Sequence, residues 1–271
     1  MDRKENIDPK KSKSIPISRQ MMLAVKGPRY YGELLKNNTT GSTIGYFILL
    51  VCTVVLFIYI IPAVGTLIGV GGVENYIKKA VPEFKLSDGS FEMEESVDYS
   101  NDTIRLFVNT EKEKFTQKSV NDQEIIQIYI SKSNMIVYNG VTLSEIRFED
   151  LGNVVFEKND LIKAVPLIYI FMLLMLIAAF VVRAFVLAAS IAFYALLGTM
   201  IYSMYGKKVK FSRCFCIVLY AITLGTFLES FNISAGELFP VYVISMISTV
   251  ITVIFMSRAM QADLKDPESY L

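Results

Sequence analysis

Residues 44–70, "IGYFILLVCTVVLFIYIIPAVGTLIGV", are 27 consecutive uncharged and mostly apolar positions. About 20 such residues suffice to cross the hydrocarbon core of a bilayer as a helix, which satisfies every backbone polar group within its own segment. The run is too long for the apolar part of a cleaved signal peptide, and the basic region before it is too extended. It reads as a signal anchor with its N-terminus inside the cell. Any fold for this chain has to be built around that helix.

Charge is sorted along the rest of the sequence. Residues 1–43 hold nine Lys/Arg against four Asp/Glu, residues 71–165 eleven against seventeen, and residues 183–213 five against none. Basic residues in short loops mark the cytoplasmic side of a membrane, so the acidic stretch belongs on the opposite face. Residues 1–20 are charged and Pro-punctuated and read as a disordered tail. "MMLAVKGPRYYGELLKN" follows as a short interfacial helix, with Tyr30, Tyr31, Leu34 and Leu35 toward lipid.

The C-terminal part poses a topological question. Residues 167–205 are 39 positions with one charge, Arg183, and no convincing turn. That is nearly twice the length of one span. The cations of "YGKKVKFSR" belong inside only if this stretch crosses once, as a long tilted or kinked helix. Two crossings would place a turn at Arg183 and make five in all. "CFCIVLYAITLGTFLESFNI" and "FPVYVISMISTVITVIFMSRAM" then make a helical hairpin through "SAGE". The expected architecture is an α+β membrane protein: a bundle of four crossings, or five, with a small extracytoplasmic α+β domain inserted after the first helix. The segments are 1–43 (cytoplasmic tail and interfacial helix), 44–70 (first crossing), 71–165 (mainly-β outer domain), 166–260 (C-terminal bundle) and 261–271 (cytoplasmic tail).

The insert opens with "VPEFKLSDGSFEM", in which Phe84 and Leu86 alternate with polar residues, as do Phe91 and Met93. Asp88-Gly89 between the two runs supplies the positive φ angles of a tight hairpin turn. "DTIRLFVNT" and "EIIQIYIS" read as further strands, and Asn139-Gly140 as a second hairpin signal. Four to six strands with one or two short helices suffice for a unit of this length to hold its own core. Phe84, Leu86, Gly89 and Phe91 are the candidate outer surface.

The chain has no His, which excludes His-based triads, imidazole relays and HExxH zinc sites. Cys214-x-Cys216 has no other soft ligand nearby in sequence, so it reads as two small apolar residues at a helix start. The acidic run from Glu92 to Asp102 lacks the spacing of a calcium loop. There is no phosphate-binding glycine loop and no basic–aromatic face for nucleic acid. Neither an enzyme nor a cofactor or metal site is expected. Arg183, a charge within an apolar stretch, is a functional candidate because it is costly there, and Glu229 is its candidate partner. The bland alternative is that Arg183 snorkels to the interface or marks a turn. Gly65-x-x-x-Gly69 fits the spacing of close helix packing, or simply a flexible exit.

The order and length of these segments carry a resemblance. Pro82, Phe84, Leu86, Gly89 and Phe91 open the outer domain, and a basic loop precedes Tyr220, Ala221 and Thr223. From about residue 25 to 260 the chain resembles the DUF1189 family of bacterial integral membrane proteins, some of which carry a maltodextrin-utilisation label. The resemblance brings no catalytic residues. What it implies, with the residues, is a non-enzymatic protein of the cell membrane. Its outer domain senses or docks, it is accessory to a membrane transport system, and its partners are the lipid bilayer and another membrane protein. The rival reading is a transporter or lipid-handling protein that works through its bundle.

Overall fold

The computed structural model describes residues 15–36, 39–101, 104–116 and 126–265. Most of the expected N-terminal tail and the last six residues of the C-terminal one lie outside them. The chain divides into two compact units, one of Met1–Gly65 with Leu173–Leu271 and the other of Thr66–Met172.

Four helices in the described residues are long and apolar enough to cross a membrane: Thr40–Val70, Val165–Met204, Phe211–Ser234 and Val241–Lys265. The first consists of α3 (Thr40–Val55) and α4 (Ile61–Val70), joined by a π turn over Leu56–Ile60. The π turn lies where Pro62 cannot supply the N–H that the Ile58 carbonyl would accept, so the ladder widens around the ring. Thr39 caps the start of α3 by accepting from the Ser42 N–H. The second, α7 (Val165–Met204), runs 40 residues without a break through Arg183, so no turn falls there. At 1.5 Å per residue it is roughly 60 Å long, about twice the hydrocarbon thickness.

The Met1–Gly65 and Leu173–Leu271 unit is built around α8 (Phe211–Ser234), with α9 (Val241–Lys265) against it. Of the apolar window of α8, 61% is buried, against 6% for α7. One helix is therefore the core and the other offers its apolar surface outward. The two helices approach closely at Gly225, where an added Cβ would lie 3.0 Å from the Ser248 carbonyl oxygen and 3.2 Å from its Cα. An added Cβ at Gly65 or Gly69 would meet nothing within 4 Å among the described residues of this chain.

The N-terminal segment departs from the expectation of a tail followed by a lipid-facing helix. It forms α1 (Ile17–Lys26) and α2 (Tyr31–Lys36), and both pack on α8. Tyr31 and Leu34 are fully buried among protein side chains rather than lipid. The Tyr31 hydroxyl donates to the carbonyls of Ala24 and Tyr220, and the Tyr46 and Thr223 hydroxyls bond each other at 2.7 Å. At the other end of the chain, α9 continues to Lys265 and buries Asp263, inside what reads from sequence as a tail.

The Thr66–Met172 unit holds α5 (Val73–Ala80), α6 (Lys158–Lys163) and two sheets. The first sheet has the order β2-β1-β8, from Ser90–Met93, Phe84–Ser87 and Phe156–Glu157. The second runs in chain order through β3 (Val97–Ser100), β4 (Ile104–Val108), β5 (Ile126–Ile130), β6 (Asn134–Tyr138) and β7 (Leu143–Arg147). Turn dipeptides mark the β1–β2 and β6–β7 connections alone; β3 and its antiparallel pairing with β4 are not read from the sequence, and the β4–β5 pair is parallel. A parallel pair needs a crossover connection, and no turn dipeptide announces one. Asp88 and Gly89 both take positive φ, 52° and 73°, as their turn requires. Asn139 instead opens a longer loop, its Oδ1 accepting from the N–H groups of Val141 and Thr142.

Gly89 also packs against the short helix Phe148–Leu151: a Cβ there would sit 3.1 Å from the Glu149 Cα and 3.3 Å from its nitrogen. Gly89→Ala therefore meets both a left-handed backbone and a backbone neighbour. The expected loss is about 2 kcal/mol of stability in this unit, read as faster amide exchange in β1 and β2. Unchanged exchange would mean that the turn relaxes freely.

Candidate functional site

Three helices of the bundle carry polar stripes at helical spacing on otherwise apolar faces. On α7 the stripe is Arg183, Ser190 and Tyr194, and on α8 it is Thr226, Glu229 and Ser230. On α9 it is Ser245, Ser248, Thr249 and Thr252. Residues three, four and seven apart share a helix face, so each stripe points one way. These stripes, Ser245 apart, line a partly open cavity of about 250 Å³, together with Val51, Val54 and Ile58 of the first apolar helix.

Arg183 and Glu229 are both on its wall. The Arg183 Nε donates to the Tyr59 hydroxyl at 3.1 Å, and its guanidinium lies 5.6 Å from the centre of the Tyr59 ring. Both contacts hold the cation in place, the second through the ring quadrupole. The carboxylate of Glu229 faces the hydroxyls of Ser245 and Ser248 and feels the positive charge of Arg183. Among the described residues, Arg183 and Glu229 form no direct ion pair. The two residues expected as a charge pair line one cavity but do not touch.

The candidate outer surface has a different fate. Phe91 is a core residue of its unit, with Phe148 and Val108, and Phe84 and Leu86 pack against that cluster. The Phe84 and Phe91 rings stack with centroids 5.7 Å apart. The apolar face of the hairpin thus fills its own interior, and Gly89 serves the turn. Among the described residues, no three His, Cys, Asp or Glu side chains come together to hold a metal ion.

Tyr59 was not legible as a site residue, since an aromatic in an apolar run looks like any other lipid-facing ring. Ser190, Thr226 and Ser248 were within reach of periodicity: Ser190 stands seven residues after Arg183, and Thr226 three before Glu229.

Comparison with known proteins decides the family. The profile of the DUF1189 family, described as a protein of unknown function, matches residues 19–260. The chain belongs to the DUF1189 family. No curated protein and no solved structure matches it significantly. In this DUF1189 protein the matched stretch covers nearly all of α1, both sheets and every residue of the cavity wall.

Proposed function

We propose that this DUF1189 protein is a non-enzymatic integral protein of the cell membrane that crosses four times and acts as an accessory to a membrane transport system. Both termini face the cytoplasm, and the sheet-bearing unit, on the outer face, senses or docks. The basic loop Lys207, Lys208 and Lys210 supports this orientation by the excess of cations on cytoplasmic loops.

The observation that carries the reading is Lys158. It is largely buried, donates from Nζ to the Lys78 carbonyl at 3.1 Å and pairs with Glu83 at 3.0 Å. Lys78 lies in α5, which follows the first apolar helix; Glu83 leads into β1; and Lys158 opens α6, which leads into α7. One side chain thus clasps the chain where it enters the unit and where it leaves. A nearby contact, the Val73 N–H donating to the Tyr169 hydroxyl at 3.4 Å, joins the same two strands of chain. A load on the sheets reaches both helices together through such a clasp, as a sensing or docking module requires.

Topology is tested with single cysteines at Val141, 87% exposed, and Lys208 in a chain lacking Cys52, Cys214 and Cys216. In intact cells an impermeant maleimide labels position 141 and not 208; the reverse pattern rejects the orientation. The clasp is tested with Lys158→Met, which keeps the stem and removes the charge, with maltodextrin uptake as the first assay because the family label points there. Reduced uptake at unchanged protein level is expected. Normal uptake in cells whose copy lacks residues 84–157 rejects the accessory role.

A further inference from the structure

The intramembrane cavity asks for a ligand of a particular charge pattern, independently of what the sheet-bearing unit does. A guanidinium and a carboxylate share a space of about 250 Å³ and do not pair. In a water-poor bundle each charge carries a desolvation cost that hydrogen bonds offset in part and a close opposite charge offsets most fully. A simple anion beside Arg183 leaves Glu229 without a close counter-charge, and a simple cation beside Glu229 does the same to Arg183. A molecule carrying both signs compensates both.

The donor and acceptor inventory agrees. Nε of Arg183 is engaged by Tyr59, and its two terminal nitrogens have no hydrogen-bond partner among the described residues. Those N–H groups form the fork that grips two oxygens of a carboxylate or phosphate. The other walls are rich in acceptors. The Ser190 hydroxyl donates to the Val186 carbonyl at 2.9 Å and the Ser230 hydroxyl to the Thr226 carbonyl at 2.8 Å. With their protons committed, these oxygens can only accept, as the Glu229 carboxylate does. That suits the three N–H donors of a primary ammonium. The volume falls below the roughly 300–1,000 Å³ of sites for drug-sized ligands, which limits the occupant to a headgroup or a molecule of similar size.

We infer that the cavity binds a small zwitterion, its anionic oxygens held by Arg183 and its primary ammonium by Glu229. Two sources share this chemistry: the phosphoethanolamine headgroup of a bilayer lipid, and a free amino acid.

The test uses the full chain in nanodiscs of phosphatidylcholine with phosphatidylglycerol. One arm replaces the choline lipid with phosphatidylethanolamine, and another adds glycine at millimolar concentration. Acetate and methylamine serve as single-charge controls. Binding to the folded state raises the thermal midpoint, and about 5 °C is expected near saturation. A rise with the ethanolamine lipid identifies a headgroup site and a rise with glycine a soluble ligand; either supports the proposal. Arg183→Gln and Glu229→Gln should each abolish the rise, while Cys52→Ser, on the exposed side of the first helix, keeps it. No rise with either zwitterion overturns the proposal, as does an equal rise with acetate or methylamine. A rise that survives in Glu229→Gln also overturns it, since the site then reads only the anion. The comparison of glycine with the single-charge ions needs no variant, so poor folding of a variant leaves the proposal testable.

Discussion

Replacing Asp263 with alanine should lower the thermal midpoint of the purified protein by about 8 °C, from a loss of roughly 3 kcal/mol. The Asp263 side chain is 5% exposed and receives the Arg213 guanidinium, Nε at 3.2 Å from each of its oxygens and Nη2 on Oδ1. The Tyr202 hydroxyl donates to the same carboxylate at 2.7 Å. Tyr202 ends α7, Arg213 begins α8 and Asp263 lies in the last turn of α9, so one carboxylate ties three helices at one end of the bundle. Removing it takes a charged acceptor away from the Arg213 guanidinium and the buried Tyr202 phenol, and that loss exceeds the net worth of the pair itself. The double variant Arg213→Met with Asp263→Leu should therefore recover most of the lost stability. If the single variant melts with the wild type, the knot contributes nothing. If the double variant melts as low as the single, the loss came from packing rather than from breaking the Arg213–Asp263 pair.

That knot also shows where the sequence stops being informative. Arg213 belongs to "YGKKVKFSR" and counts there as one more cytoplasmic cation, yet its charge is spent on a residue fifty positions later. Asp263 looks like part of a polar tail because nothing local shows which acid in "QADLKDPESYL" turns inward. Length and apolarity marked the apolar segments, because lipid-compatible composition is a property of each segment alone, but left open whether residues 167–205 form one helix or turn at Arg183. Asp88-Gly89 sufficed for the first hairpin, because the turn needs positive φ at two adjacent residues. What could not be read were the choices among equivalent partners. An amphipathic pattern such as Tyr31 and Leu34 is the same whether the face meets lipid or protein. Alternation in Phe84, Leu86 and Phe91 marks an apolar face without saying whether it fills a core or awaits a partner. For Arg183 the sequence named the two charges, but their separation, with a cavity between them, depends on the packing of four helices.

The docking of the N-terminal segment gives the second large effect. Tyr220→Ala should cost about 4 kcal/mol, the scale of truncating a fully buried aromatic, and should loosen α1 and α2 before the rest of the bundle melts. Tyr220 is wholly buried on α8 and meets the Tyr46 ring at 5.0 Å, edge-on, and the Tyr31 ring at 5.9 Å. Its hydroxyl reaches the Oε1 of Gln20, whose Nε2 donates to the Ile15 carbonyl and to the Ser42 hydroxyl. Burial, with Tyr46 beside it, pushes the Tyr31 phenol well above its ordinary range, so it remains a neutral donor to the Ala24 and Tyr220 carbonyls at any physiological pH. Deleting the Tyr220 ring removes the surface on which these groups converge while leaving its backbone carbonyl in place. Lys26 and Arg29 are exposed in the same segment, so limited trypsin digestion reports the undocking directly. Cleavage at these positions should be at least tenfold faster in Tyr220→Ala than in wild type at a temperature where both bundles are folded. Tyr46→Phe is the matched control: it loses the bond to Thr223, but Thr223 still donates to the Leu219 carbonyl at 3.0 Å, so the cost stays near 1 kcal/mol. Equal cleavage rates in wild type and Tyr220→Ala would mean that the segment is held by its other contacts and that the tyrosine cluster only fills space.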